Sequence, residues 1–297
     1  MSERSPRDDL TVASFTGRDG ILLSADVLGP DDGLPVVLMH GGGQTRHSWA
    51  GTARVLADRG WRVVSFDLRG HGDSAWDPEG DYTLDAFAAD VTAVARSFDR
   101  RPALVGASLG GITSMVAIAD AGGGTEVASS LTLVDVAHRI EVSGRDRIGD
   151  FMTAAPDGFA SLDEAADAIA AYNPNRPRPK DLSGLKKNLR QRDDGRWVWH
   201  WDPAFVHGRF GSSDETRTSL IRADRLQEAA EALRLPTLLV RGRSSDLLSE
   251  AGAQDFLRIV PHAQFADVAG AGHMVAGDRN DVFNQAILQF LADHPPA

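Results

Sequence analysis

The chain of 297 residues contains no cysteine. That absence excludes disulfides, thiolate nucleophiles and cysteine-ligated zinc together. Positive charge is also scarce. Thirty-one Lys and Arg stand against 42 Asp and Glu, a formal net charge of -11. Phosphate backbones and anionic lipid both need a basic face, so neither nucleic acid nor membrane is expected as a partner. No apolar run approaches the ~20 residues of a bilayer span. The opening "MSERSPRDDLTVAS" lacks the apolar stretch of a secretory signal, so a cytoplasmic location is expected. Neither HExxH nor a clustered His/Asp site is present, and no Gly-Lys-Ser/Thr follows a glycine-rich loop. No metal and no organic cofactor is therefore expected.

What is there is an ordinary core-forming composition, 42% apolar and 25% charged. Residues 11–29 alternate and turn at Asp19-Gly20, which predicts an antiparallel hairpin. Short, continuously apolar runs follow at 35–40, 61–67, 103–107, 129–136, 236–242 and 263–270. Such runs mark strands buried on both faces. Amphipathic stretches at 48–60, 84–98, 249–260 and 280–293 separate them. Strand and helix alternate, so the fold class is α/β, a mostly parallel central sheet with helices on both faces. The rhythm breaks over residues 138–222, where no strand is evident and Ser161 to Glu164 forms a capping box for a helix over 161–172. These residues are read as a helical insertion in a core built from 1–137 and 223–297.

Gly106-Ala107-Ser108-Leu109-Gly110 is a G-x-S-x-G pattern between a strand and a helix. In so tight a turn the serine backbone is strained and small neighbours are required, and Oγ stands over the carboxyl edge of the sheet. A serine hydroxyl needs a base. His273, in "GAGHM" before the last helix, is the candidate, and His262 and His294 read as surface or packing residues. His138, His200 and His207 are placed along the insertion. The base needs a carboxylate to fix its tautomer. Asp246, past the strand ending at Gly242, is preferred, and Asp135, also at a strand end, is the rival. The developing oxyanion needs two amides. One is that of Leu109, and the other comes from "HGGGQ" at 40–44, with Gly42 first and Gly43 next.

With "HGGGQ", "FDLRGHGDS", "GASLGG", "LLVRGRSSD" and "GAGHM" in order, the chain resembles the α/β-hydrolase superfamily over 20–137 and 223–294. The resemblance implies Ser108 as nucleophile, His273 as base and Asp246 as acid, with 138–222 as a cap over the site. Caps of this family carry selectivity, so Trp197 and Trp199 are candidate pocket walls. Arg46, beside the glycine loop, is a candidate contact for a substrate carboxylate. "RGHGDS" at 69–74 reads as a structural loop near the site.

Departures from the family narrow the branch. Serine at the elbow argues against epoxide hydrolases and haloalkane dehalogenases, which carry aspartate there. Ring-cleavage C–C hydrolases commonly have Asn before the serine and Trp after the histidine; here those places hold Ala107 and Met274, the latter a further candidate substrate contact. Cofactor-free haloperoxidases and perhydrolases tend to carry an aromatic where this chain has Gly42. The capped carboxylesterases, including those acting on monoesters of aromatic acids, are most similar. The expected activity is hydrolysis of a small or medium carboxylic ester. C–C hydrolysis of a vinylogous diketone and a non-catalytic ligand receptor are the alternatives.

Overall fold

The computed structural model describes residues 10–174, 178, 180–210, 222–269 and 281–296. The chain opens with strands β1 (Thr11–Thr16) and β2 (Leu22–Leu28), antiparallel as expected. Asp19 and Gly20 take positive φ at the turn between them. Then come β3 (Leu34–Met39), α1 (Ala50–Ala57), β4 (Trp61–Phe66), α2 (Leu84–Arg96), β5 (Ala103–Ala107), α3 (Leu109–Asp120) and β6 (Ser130–Val134). After an insertion the core resumes with α7 (Ala223–Ala232), β9 (Thr237–Gly242), α8 (Glu250–Ile259), β10 (Gln264–Val268) and α9 (Asp281–Asp293). The eight strands form one sheet in the order β1-β2-β4-β3-β5-β6-β9-β10. From β4 to β10 every pairing is parallel.

The continuous apolar runs follow from burial on two faces. On β3, Val36 and Leu38 join Trp49, Leu56, Phe283 and Ile287 on the side of α1 and α9. The alternate residues Val37 and Met39 join Phe87, Met115 and Leu226 on the side of α2, α3 and α7. Polar side chains at the first helical turns fix where helices begin. Thr83 caps α2 by accepting the Ala86 amide, and Ser249 caps α8 by accepting that of Gly252.

The insertion holds α4 (Val142–Thr153), α5 (Leu162–Tyr172) and α6 (Pro203–Phe210). Half of the expected capping box is present: Ser161 Oγ accepts the Glu164 amide at 3.2 Å, while the Glu164 carboxylate accepts the amide of Ala160 at 2.5 Å and not that of Ser161. The expectation of a strandless insertion needs correction. β7 (Leu189–Gln191) and β8 (Trp197–Trp199) form an antiparallel hairpin, and Phe159 adds a bridge to Trp197. A three-residue strand is too short for its alternation to stand out in sequence. Among the described residues no helix is long and apolar enough to cross a membrane.

Candidate active site

Four loops leave the carboxyl edge of adjacent parallel strands, and each carries an expected site residue. The first joins β5 to α3. Ser108 sits there at φ 47 and ψ -114, a conformation that L-residues seldom adopt. The neighbouring glycines are demanded by space. A Cβ on Gly106 would lie 2.4 Å from the carbonyl carbon of Gly110, and one on Gly110 would lie 2.6 Å from Met39. The turn is thus pressed between its own helix and the end of β3, and this pressure holds the serine in its strained state.

The second loop follows β3. Gly41 approaches so closely that a Cβ there would lie 3.2 Å from Ser108 Cβ. The Gln44 amide donates to Gly41 O at 3.1 Å and closes a tight turn. The amide of Gly41 donates to Gln44 Oε1 at 3.0 Å, and that of Gly43 donates to His71 Nε2 at 3.1 Å. The amides of Gly42 and Leu109 donate to no group among the described residues. Of the two candidate glycines, Gly42 is the one with its N–H uncommitted.

The two candidate acids differ in surroundings. Asp135, at φ 54 just past β6, is fully buried and accepts the Gly242 amide at 2.9 Å and the Ser245 hydroxyl at 2.6 Å. Asp246, past β9, is about a third exposed and pairs with Arg147 of α4 at 2.8 Å. The expected base, His273, and its neighbour Met274 lie outside the described residues. Other histidines are committed elsewhere. His138 faces Asp255 at 3.2 Å, His262 reaches Leu235 O at 3.0 Å, and His294 packs on Phe290.

Three histidines crowd beneath the glycine loop. Ring centroids of His40 and His71 are 5.2 Å apart, and those of His71 and His200 are 5.9 Å apart. His40 Nδ1 bonds the Gly41 carbonyl at 2.8 Å and Nε2 accepts the Leu68 amide at 3.0 Å, so the ring is neutral. Burial drives its pKa down to about 4, against the pull of the Gly41 carbonyl. His200 accepts the Gly72 amide at 2.6 Å. Burial, then His71 and His40, push its pKa well down too. Sequence reasoning gave His40 and His71 no role. Their signal was adjacency to glycines in "HGGG" and "RGHG".

Three expected substrate contacts, Arg46, Trp197 and Trp199, have partners within the protein. Arg46 is buried, and its guanidinium is taken up by Asp26 at 2.8 Å, by Asp73 at 2.8 Å and by Asp67. It ties the loop after β3 to the loop after β4 instead of facing a ligand. Among the tryptophans, Trp201 meets the glycine loop. A Cβ on Gly43 would lie 3.3 Å from its ring and 3.2 Å from Met152 of α4. Trp199 stacks behind Trp201 at 4.8 Å, and Trp197 packs further out against the Phe159 cluster. Phe205 of α6 stands 3.5 Å from where a Gly42 Cβ would be. The alternation Trp197, Trp199, Trp201 puts all three on one face, and only the last reaches the loop.

The profile of the alpha/beta hydrolase family matches residues 36–286. The chain belongs to that family. This α/β hydrolase is 29% identical to an esterase of Mycobacterium tuberculosis, Rv0045c, over 82% of its own length and 78% of the esterase. It is 36% identical to a non-heme chloroperoxidase of Streptomyces lividans over 94% of its length and 99% of that protein. In three dimensions the α/β hydrolase superposes on E-2-(acetamidomethylene)succinate hydrolase with a TM-score of 0.81 at 24% identity, covering 95% of this chain and 99% of the other. That likeness is one of fold.

Proposed function

We propose that this α/β hydrolase cleaves small or medium carboxylic esters through an acyl-serine at Ser108. The observation that carries the reading is the pairing of a strained Ser108 with two amides, those of Gly42 and Leu109, that are uncommitted among the described residues and lie at one sheet edge. Ser108 Oγ attacks the ester carbonyl while His273 takes its proton. The two amides stabilise the oxyanion, the alcohol leaves with the proton from His273, and water activated by the same imidazole releases the acid. Asp246 orients His273 in this scheme. Asp135, buried and holding the Gly242 amide and the Ser245 hydroxyl, is the rival acid, and comparing Asp246→Asn with Asp135→Asn decides between them. Residues 138–222 act as a cap on the core of 1–137 and 223–297. The contacts of Met152, Trp201 and Phe205 with the glycine loop support this, and they give the substrate pocket an apolar wall. The scheme calls for no cofactor.

A panel of p-nitrophenyl esters with wild type and Ser108→Ala tests the proposal. Ser108→Ala should stay folded and lose at least ~10³-fold in turnover. Labelling of Ser108 by a fluorophosphonate separates an enzyme from a receptor that keeps the scaffold. A ring-cleavage dienoate turned over faster than any ester would favour C–C hydrolysis. The likeness to a chloroperoxidase makes hydrogen peroxide a second acceptor to include in the panel.

A further inference from the structure

Three consecutive glycines give the loop after β3 backbone freedom, and freedom is harmful to a donor that must be aimed before the substrate arrives. Three amides, those of Gly41, Gly42 and Gly43, compete for the same role. Gly41 is engaged within the turn by Gln44 Oε1. We propose that His71 is a positioning residue for the oxyanion loop: by accepting the Gly43 N–H it pins the turn and leaves the Gly42 N–H as the loop's one donor to substrate. The inference rests on the ester-hydrolase reading given above.

The geometry is specific. Gly43 has φ +75, near the value that a type II turn requires at its third residue. The peptide preceding that residue is the one that flips between turn types, and its N–H is the group His71 holds at 3.1 Å. His71 can accept because its other nitrogen, Nδ1, lies 2.9 Å from the Arg69 carbonyl, which can only accept. The proton is therefore on Nδ1 and the lone pair on Nε2. Arg69 is itself held on several sides. Its buried guanidinium meets Asp90 at 2.6 and 2.8 Å and Asp77 at 3.1 Å. The His71 ring is wedged edge-on against Phe205 at 4.5 Å. A braced arginine thus holds a carbonyl, the carbonyl holds an imidazole, and the imidazole holds the turn.

Three variants test this. His71→Leu and His71→Asn place no acceptor within reach of Gly43, whereas His71→Gln can set an amide oxygen near the position of Nε2. Readouts are kcat and KM on a p-nitrophenyl ester, the rate of Ser108 phosphonylation by a fluorophosphonate, and circular dichroism with melting temperature. A loosened donor should lower kcat and the phosphonylation rate by roughly 10- to 100-fold, part of the ~10²–10³ lost when a donor is deleted. KM should change much less, and Gln should recover most of both rates. Folded Leu or Asn variants with wild-type kcat overturn the proposal, as does a Gln variant no better than Asn. If Leu fails to fold, the Asn and Gln pair decides. Wild type that neither labels nor cleaves any ester defeats the Ser108 reading and this proposal with it. Active wild type with indifferent variants defeats the positioning role alone.

Discussion

Acid should begin to destabilise this protein through its buried imidazoles. His40 has its pKa driven down to about 4 by burial, from 6.5 in the unfolded chain. Between those two values the unfolded state carries a proton that the folded state refuses. Stability is therefore complete above pH 6.5 and falls as pH falls toward 4, by about 1.4 kcal/mol for each pH unit. His200 is shifted in the same direction by burial and by its two neighbouring imidazoles. His40 alone should remove roughly 1.5 kcal/mol between pH 6.5 and pH 5, and His200 adds a loss of the same sign to a domain that possesses only ~5–15 kcal/mol. Asp26, Asp73 and Asp81 are all shifted below 3.8, so what they add is lost only at lower pH. Guanidinium unfolding at half-unit steps from pH 7.5 to 4.5 measures the effect. The slope of stability against pH should correspond to at least the one proton of His40 near pH 5.5, and His200→Gln should make it shallower. A stability that stays level from pH 7.5 to pH 5 would refute the reasoning.

Other perturbations separate roles that share a neighbourhood. Asp246→Asn should cut kcat by up to ~10⁴-fold with little change in melting temperature. Asp135→Asn should instead cost about 1–3 kcal/mol in denaturant unfolding, because it weakens the acceptor for a buried amide and hydroxyl. Arg46→Met strands Asp67 and Asp26, and a loss of about 3–5 kcal/mol in unfolding free energy is expected, with KM for acidic and neutral esters shifting alike. Gly106→Ala forces a methyl group to within 2.4 Å of the α3 backbone. Its thermal melt should drop by the equivalent of about 1–3 kcal/mol and fluorophosphonate labelling should slow sharply.

The parallel sheet was legible because both of its faces are covered, which makes each strand an unbroken apolar word. The elbow was legible because steric demand at Ser108 restricts the residues on either side. The β7–β8 hairpin was not, since its strands are three residues long. Nor was the role of Arg46. Its partners Asp26, Asp67 and Asp73 come from separate segments, and nothing local distinguishes a buried guanidinium from one that greets a ligand. The tryptophan that meets the glycine loop, Trp201, lies two to four residues beyond the two named from sequence, Trp199 and Trp197. Trp199 and Trp201 share a face, and only tertiary packing decides which touches the loop.

The loop of residues 69–74 is gripped from above as well as from below. From the insertion, Arg190 bonds Gly72 O at 3.1 Å and Asp73 at 2.6 Å, the Asp202 amide bonds Gly70 O at 2.9 Å, and His200 takes the Gly72 amide. Under the proposed function, selectivity and catalytic competence would share these contacts. A chimera that imported another family member's upper region, in search of a new substrate range, would have to import equivalents of Arg190, His200 and Asp202, or inherit a disordered hearth beneath a new roof.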